Sequence, residues 1–562
     1  MSSMAVDSSK RSVFMRIRDR RRIHDTDGAN SRKFHEINRY SSQRVRKDEQ
    51  PVLFFNASTR LTRTSLNAAF AWLAANSLQS TGVPVVFMTC MRGLNPCLLA
   101  TDRENPKKEL PCQSCIRLSK SMYNGLQTVP LEFHEDPILF NEVEGLTYHE
   151  LESYVHEGVP LGELTLPSLR WIMRRHHLED VPNALPLQRL YIRSAWSTYL
   201  LAKEWISNNH PRAIVVFNGL QYPEATVKWI GKQNGIPTFT HEIGLMPETA
   251  FFTEGEATAC PINLPADLEM TPERNKKLDD YLESRMKGSF QTAGVRFWPE
   301  MEGLTPEFWK MVRMFRQVVP VFTNVVFDTS QKHANVVFDN MFEWLDSIKS
   351  LIEKNADTLF VIRAHPDELR PGKESLETVT DWVVGNHLTH LTNVLYIAPD
   401  QYFSSYDLIR IAKFVMVYNS TIGLEAAAMG AAVLSGGKSR YTQVPITYFP
   451  QSKEAFIQKA QDMLDADEWV VPDEFQQNAR KFMYYQFFHT ALDFSEFLSP
   501  DPVWNGYVKL KDFKPESLLP ENNETMRVIQ DGILRGKPFD YPHSFEKDPQ
   551  LINSSVQMKN DK

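Results

Sequence analysis

With 562 residues, the chain is too long for one hydrophobic core and predicts two domains, or three. Its net charge is −7, but residues 10–47 hold thirteen Lys or Arg against four Asp or Glu, which gives this segment +9 and leaves −16 for the rest. The chain shows neither a secretory signal nor an apolar run long enough to span a membrane, so we expect a cytosolic protein.

Residues 1–50 form a basic segment with few apolar side chains. Its Arg20-Arg21-Arg22 run would suit an anionic lipid surface or nucleic acid, whereas a solvated extension explains the same composition. We predict a disordered arm that is able to touch an anionic membrane, with no specific nucleic-acid partner.

The elements that follow predict an N-terminal Rossmann-like domain over residues 51–250. Val52–Phe55 is a short apolar run, residues 66–78 have helical periodicity, and residues 83–88 have the pattern of the next strand. Strand, helix and strand in this order are typical of a parallel α/β sheet.

Four of the five cysteines cluster in an insertion of this domain. They are Cys90, Cys97, Cys112 and Cys115, of which the last two form a C-x-x-C motif. Four thiolates can bind a structural zinc ion, although the spacing of the first pair is not that of a usual knuckle. Unligated cysteines and a redox pair are the alternatives.

A second strand-helix-strand unit ends in two ionisable residues. Residues 213–217 form the strand, Asn218-Gly219 the turn, and His241-Glu242 directly follows the next strand. Ionisable groups are costly after a buried strand unless they reach a cleft, so we expect His241 and Glu242 at one. A surface loop explains His241 and Glu242 as well, and a tight turn that needs positive φ explains Asn218-Gly219.

We read residues 251–316 as a helical crossover and residues 317–470 as a C-terminal Rossmann-like domain. In the latter, Arg363 and His365 follow the predicted strand 359–362. A histidine at a strand end can donate to a phosphate or carry a proton, although a structural role is equally compatible. Residues 471–562 are predicted to form C-terminal helices and a tail.

Residues 413–437 predict a strand, the polar turn Asn419-Ser420-Thr421, and a helix that begins near Ile422. Ser420 or Thr421 can cap this helix and leave its first amides directed at an anion. Glu425, one turn later, is placed to accept hydrogen bonds from a sugar hydroxyl. Serine or threonine caps that bind nothing are the alternative.

Several motifs are missing from the sequence. It lacks G-x-G-x-x-G, Walker A, H-E-x-x-H and G-x-S-x-G patterns, which argues against a dinucleotide oxidoreductase, a P-loop NTPase and a serine hydrolase. We expect neither NAD nor PLP as a cofactor.

Three segments carry a family resemblance over roughly residues 52–464. IRAHPDE (362–368), VYNSTIGLEAAAMGAAVL (417–434) and HEIG (241–244) resemble bacterial capsule and surface polysaccharide biosynthesis proteins, the group that includes the Kdo transferases. The resemblance implies an α/β fold of the GT-B type, in which two Rossmann-like domains face each other across a cleft. It also implies a glycosyltransferase that moves a sugar from a nucleotide-sugar donor to a polysaccharide or lipid-linked acceptor. A lipid-linked acceptor would place the protein at the inner face of the membrane.

The resemblance assigns roles to individual residues. The donor would bind at Arg363, His365, Asn419, Ser420, Thr421, Gly423 and Glu425, and the acceptor side of the cleft would present Asn218, Gly219, His241 and Asp328. We expect Glu242 to act as base, and His365 with Arg363 to stabilise the departing phosphate.

Other functions fit the same architecture. A sugar-nucleotide 2-epimerase shares it and needs no acceptor. A transferase of phospho-alditol or sialyl units would differ in its leaving group. A non-catalytic assembly factor would bind no nucleotide.

Overall fold

A computed structural model describes residues 13–286, 303–542 and 545. Its two sheets, one mostly parallel and one all parallel, confirm the predicted pair of Rossmann-like domains, which we call the first and second lobe. The strands are β1 Val52–Phe55, β2 Val85–Thr89, β3 Gln127–Pro130, β4 Ala213–Phe217, β5 Thr238–Ile243, β6 Thr249–Glu254, β7 Gln317–Phe322, β8 Thr358–Arg363, β9 Val394–Ile397, β10 Val415–Val417, β11 Val433–Ser435, β12 Leu492–Asp493, β13 Leu498–Pro500 and β14 Val508–Leu510.

Helices cover both faces of the two sheets. They are α1 Val13–Ser42, α2 Leu66–Ser80, α3 Cys112–Met122, α4 Pro137–Glu144, α5 Tyr148–Glu152, α6 Leu161–Met173, α7 Ala184–Asn209, α8 Glu224–Gln233, α9 Pro272–Met286, α10 Pro306–Val312, α11 Gln331–Ala334, α12 Met341–Lys354, α13 Val379–Gly385, α14 Ser405–Arg410, α15 Ile422–Ala428, α16 Lys453–Asp465, α17 Asp473–Phe488 and α18 Glu524–Arg535. Within the described ranges, none of these helices is long and apolar enough to cross a membrane.

The first lobe has a seven-stranded sheet in the order β12-β6-β5-β4-β1-β2-β3. Strands β1 to β5 pair in parallel, whereas β6 and β12 run antiparallel to their neighbours. The apolar run Val52–Phe55 is central and fully buried, which is why four consecutive hydrophobic residues suit it. The carboxyl ends of β1, β4 and β5 therefore meet at one edge.

The second lobe has a five-stranded, all-parallel sheet in the order β11-β10-β7-β8-β9. Strand β7 is central, and Phe322 pairs with both Arg363 of β8 and Val417 of β10. This register brings the loops after three neighbouring strands to the same carboxyl edge, where open α/β sheets bind ligands.

The N-terminal segment corrects one prediction. Residues 13–42 form helix α1 instead of a disordered arm, and residues 1–12 lie outside the described residues. Phe34 and Ile37 are buried in the first lobe's core, and Trp72 Nε1 donates to Asn38 Oδ1 at 2.9 Å. The helix holds its place because one apolar stripe and one buried amide face α2, although twelve of its thirty residues are Asp, Glu, Lys or Arg.

The C-terminal segment was predicted as helices and a tail, without a position in the fold. Helices α17 and α18 lie within it, and the described part from β12 onward returns to the first lobe. Strand β12 extends the first sheet, and Gln530 Nε2 of α18 donates to Ser77 O of α2 at 3.0 Å. Helix α17 stays with the second lobe, where it packs against α15. The chain therefore crosses between the lobes twice.

Candidate active site

A cavity of about 840 Å³ lies at the carboxyl edge of the second sheet, where the first lobe faces it. Second-lobe loops that follow β7, β8 and β10 form most of its wall. Trp171 and Leu245 close it from the first lobe, and residues 258–261 of the crossover contribute a further part. The predicted residues Asp328, Arg363, His365, Asn419, Ser420, Thr421 and Glu425 all line it.

The turn between β10 and α15 is held from behind by Tyr441. Its hydroxyl donates to Ser420 O at 2.7 Å. A Cβ on Gly423 would lie 2.4 Å from that hydroxyl oxygen, so glycine is needed for this close packing. Gly423 does not line the cavity, and the structure therefore gives it a packing position instead of the predicted donor contact. Thr421 occupies the cap position of α15, but its side chain makes no capping hydrogen bond.

Glu425 lies one turn into α15 on the cavity wall and is 5% exposed. Tyr406, which also lines the cavity, donates from its hydroxyl to Glu425 Oε2 at 2.7 Å. The Tyr406 hydroxyl bond fixes the carboxylate, and a fixed carboxylate is a strong acceptor for vicinal hydroxyls such as those of a ribose.

Arg363 and His365 stand at the end of β8. The Asp367 amide donates to His365 Nδ1 at 3.1 Å, so the neutral ring carries its proton on Nε2. Burial lowers the pKa of His365, and Arg363 acts in the same direction. Arg363 Nη1 donates to Phe403 O at 3.1 Å, and burial lowers its pKa to about 10. A neutral histidine donor beside a buried guanidinium suits an anionic oxygen.

The charges on the cavity wall favour an anionic ligand. Six cationic side chains line it: Lys332, Arg363, Arg370, Lys373, Lys438 and Arg440. Three carboxylates do so as well: Asp328, Asp367 and Glu425. The excess of positive charge at a cleft raises the local concentration of anions such as phosphates.

The first-lobe candidates lie in a separate network at the end of β4 and β5. Asn218 Nδ2 donates to Glu242 Oε1, and the Ile243 amide donates to Glu242 Oε2 at 3.2 Å. Asn218 Oδ1 accepts from the amides of Leu220 and Gln221, and Asn218 has a φ of 61°. Among the residues that line the described cavity, neither Asn218 nor Glu242 is present.

Two other first-lobe candidates have structural positions. His241 is 1% exposed and stacks on Phe252 with ring centroids 4.9 Å apart, and burial lowers its pKa to about 3. Gly219 has a φ of 79°, and a Cβ there would lie 2.9 Å from side-chain atoms of Lys228 and Thr240. Neither His241 nor Gly219 lines the described cavity, and their place on the acceptor side of the cleft stays a prediction.

Glu242 has the pKa of a base that works near neutral pH. Its pKa is raised to about 7, mainly by burial and to a smaller extent by the negative charge of Asp328, against the hydrogen bonds from Asn218 and Ile243 and the charge of Arg60. Asp328 belongs to the second lobe and lines the cavity, so the two carboxyls are within electrostatic range across the lobes.

Two contacts involve residues that the sequence did not single out: one lies within the first lobe, and the other joins the crossover to the second lobe. Arg60, in the loop after β1, pairs with Glu224 at 3.1 Å and lies 4.1 Å from the Phe217 ring centroid. Thr258 and His333 hydrogen-bond at 2.8 Å on the cavity wall. No motif marks them, since each pairing joins residues that are distant in sequence.

The four clustered cysteines, Cys90, Cys97, Cys112 and Cys115, line one cavity of about 30 Å³ in the first lobe. Burial raises the pKa of Cys97 to about 12. Across the described ranges, no three His, Cys, Asp or Glu side chains are arranged to hold a metal ion. The predicted four-thiolate zinc geometry is therefore not formed in this structure, and metal analysis of the purified protein remains the test of zinc binding.

The strand orders of the two sheets and the anion-favouring cavity at their junction define an α/β protein of two Rossmann-like lobes. No family model and no curated protein matches the sequence.

Solved structures with a similar arrangement belong to several enzymes. A KpsC β-Kdo 2,4 transferase from Thermosulfurimonas dismutans is 12% identical with a TM-score of 0.30, over 48% of this chain and 79% of that one. A sucrose-phosphate synthase from Thermosynechococcus elongatus is 11% identical with a TM-score of 0.27, over 78% and 95%. The UDP-GlcNAc 2-epimerase from Neisseria meningitidis, bound to UDP-GlcNAc, is 11% identical with a TM-score of 0.26, over 77% and 98%. Similarities this low carry no functional argument.

Proposed function

We propose that this protein is a glycosyltransferase that moves a sugar from a nucleotide-sugar donor to a surface or capsular polysaccharide or a glycolipid. The proposal rests on one observation. A cavity between two Rossmann-like lobes is lined by a histidine donor, a polar turn, a fixed carboxylate and more Lys and Arg than acidic side chains. These are the groups that a phosphate and a ribose need.

The donor would bind to the second lobe. His365 Nε2 and Arg363 would donate to the phosphate oxygens, with Asn419, Ser420 and Thr421 in the adjoining turn. Glu425 would accept from the ribose hydroxyls, in the orientation that Tyr406 fixes. Negative charge grows on the phosphate as the glycosidic bond to it breaks, and His365 and Arg363 would stabilise that charge.

The acceptor hydroxyl must lose a proton during transfer, and Glu242 is our candidate for the base. Its pKa of about 7 leaves a useful fraction of carboxylate at neutral pH. Because Glu242 does not line the cavity, transfer would require the acceptor, or a closing movement of the lobes, to bring the reacting oxygen to it. Asp328, which lies on the cavity wall, is the carboxylate with which Glu242 should be compared as the base.

The experiment that tests transfer compares reactions with and without acceptor. Purified protein is incubated with a nucleotide-sugar and a capsular oligosaccharide, and free nucleotide and glycan products are followed by mass spectrometry. Transfer predicts nucleotide release that depends on the acceptor and a product heavier by one sugar. An epimerised donor formed without acceptor would replace the proposal with a 2-epimerase.

We also propose that the protein works in the cytoplasm, with peripheral contact to an anionic membrane where a lipid-linked acceptor is found. Support comes from the first turns of α1, where Arg18, Arg20, Arg21 and Arg22 are exposed. Replacing these four arginines by Gln should abolish co-sedimentation with vesicles of phosphatidylglycerol. Equal co-sedimentation of the variant would refute the membrane contact.

A further inference from the structure

Two cations from opposite lobes lie against the same indole ring. Arg174 caps the end of α6 in the first lobe, and its Cζ is 4.5 Å from the Trp171 ring centroid. Lys373 belongs to the second-lobe loop between β8 and α13, and its Nζ is 5.9 Å from the same ring. Trp171 and Lys373 both line the cavity.

Arg174 is buried with unused donors. It is 2% exposed, and its Nη2 makes a long hydrogen bond to Gly372 O at 3.4 Å. Its Nε and Nη1 have no hydrogen-bond partner among the described residues. The guanidinium lies between Trp171 and Phe327, 5.0 Å from the Phe327 ring centroid. A buried guanidinium without matching acceptors is costly, which points to a ligand that supplies them.

The surroundings of Arg174 add positive charge. The pKa of Lys373 is lowered to about 8, mainly by burial and then by the charges of Arg370 and Arg174, while Asp328 and Asp367 act in the opposite direction. Two carboxylates lie nearby but have other partners. Asp367 Oδ2 is 3.9 Å from Arg370 Nη1, and Asp328 Oδ2 accepts a hydrogen bond from Ser330 Oγ at 2.8 Å. Clustered, desolvated cations at a cleft are typical of a functional site.

The segment that carries Lys373 is also bound to the first lobe. The Leu376 amide donates to Arg174 O at 3.0 Å, and the His176 amide donates to Glu377 Oε2 at 2.7 Å. These bonds keep the two cations opposite each other across the junction of the lobes.

We propose that Arg174 and Lys373, which both lie against Trp171, form a subsite for a carboxylate or phosphate group of the substrate at the junction of the lobes. The subsite rests on the proposed glycosyl transfer and extends it, because it requires an anion on the acceptor or a second anion on the donor. An anion bound there would join the lobes through one charged group.

The test titrates inorganic phosphate into the full-length protein by calorimetry, with and without a saturating nucleotide. Lys373→Gln and Arg174→Lys should each weaken phosphate binding roughly tenfold or more. Lys373→Gln removes a charged donor, and Arg174→Lys keeps the charge but removes the planar guanidinium that can bind an oxyanion through two donors. Lys354→Gln is the matched control, because Lys354 is exposed at the end of α12 and does not line the cavity. If the Arg174→Lys variant does not fold, the phosphate affinity of Lys373→Gln alone decides whether the subsite exists.

The arms with nucleotide identify the source of the anion. Phosphate that still binds beside the nucleotide, and depends on Lys373, assigns the subsite to the acceptor. Phosphate that the nucleotide displaces, with nucleotide affinity that depends on Lys373, assigns it to the donor. Unchanged affinities of Lys373→Gln for phosphate and nucleotide would overturn the subsite. If no nucleotide binds but phosphate binding depends on Lys373, the proposed function fails while the subsite stands.

Discussion

The two lobes place similar polar turns at the carboxyl edges of their sheets but use them differently. In the second lobe, His365, Ser420 and Glu425 all line one cavity. In the first lobe, Asn218 and Glu242 bind each other and stay outside the described cavity wall. Position at a strand end therefore does not by itself make a residue a ligand contact. The turn after β10 exposes its polar groups because Tyr441 supports it from behind.

We expect the largest loss of transfer rate from Glu242→Gln, which tests whether the first lobe takes part in the chemistry. Glu242→Gln keeps the hydrogen bond geometry with Asn218 but removes the base, so transfer should fall on the order of a thousandfold with nucleotide affinity unchanged. The rate of acceptor-dependent nucleotide release measures it. Asp328→Asn is the matched control, because Asp328 lies on the cavity wall. Full turnover of Glu242→Gln with lost turnover of Asp328→Asn would move the base to the second lobe.

His365→Ala tests the second lobe's part in the chemistry. We expect transfer to slow roughly a hundredfold, because one preorganised donor to the departing phosphate is lost. His390→Ala is the control, since His390 does not line the cavity. Steady-state kinetics separate the turnover rate from KM. A rate equal to that of the wild type would leave His365 a structural residue of its turn.

The pH profile sharpens the comparison between lobes. Glu242 must be ionised to accept a proton, and burial raises its pKa to about 7. The rate should therefore rise about tenfold between pH 6 and pH 8. The residual rate of Glu242→Gln should lack this rise. A rise of the same size in the variant would attribute the titration to another group.

We expect the smallest effect, a pH-dependent change in Tm, from Glu368→Gln. This variant tests the packing of the turn that contains His365 and Glu368. Glu368 is fully buried, and burial raises its pKa from 4.5 to about 8. Between about pH 4.5 and pH 8, the Glu368 carboxyl is protonated in the folded protein but ionised in the unfolded chain. Glu368 therefore lowers the wild type's free energy of unfolding as the pH rises through this range. The Tm of the variant minus that of the wild type should thus increase from pH 5 to pH 8. Glu468→Gln, at an exposed position, should show no such trend. A constant difference for Glu368→Gln would contradict the buried proton.

Local patterns were sufficient to predict most strands of the two sheets, but not β3, β6 or β12. The runs at 52–55 and 213–217 are strands with the predicted bounds, and helix α15 begins at Ile422 as expected. Each of these elements is short, apolar and followed by turn residues, so neighbouring residues alone decide it. His365 and Glu425 could be placed at one edge for the same reason.

What the sequence could not predict depends on contacts between distant residues. Helix α1 is polar along most of its length and is fixed by Phe34 and Asn38 against α2. Strand β12 joins the first sheet from a distance of more than two hundred residues in sequence from β6. Arg174 and Lys373 meet on Trp171 only when the lobes come together.

The central claim is that a sugar nucleotide binds in the cavity between the lobes, and its most direct test is nucleotide binding. Calorimetric titration of CMP, UDP and GDP into the wild type, Glu425→Ala and the exposed control Glu468→Ala measures it. We predict that one nucleotide binds the wild type and Glu468→Ala equally and binds Glu425→Ala at least roughly tenfold more weakly, because the ribose loses its acceptor. Binding of none of the three nucleotides, or equal binding to all three proteins, would contradict the account.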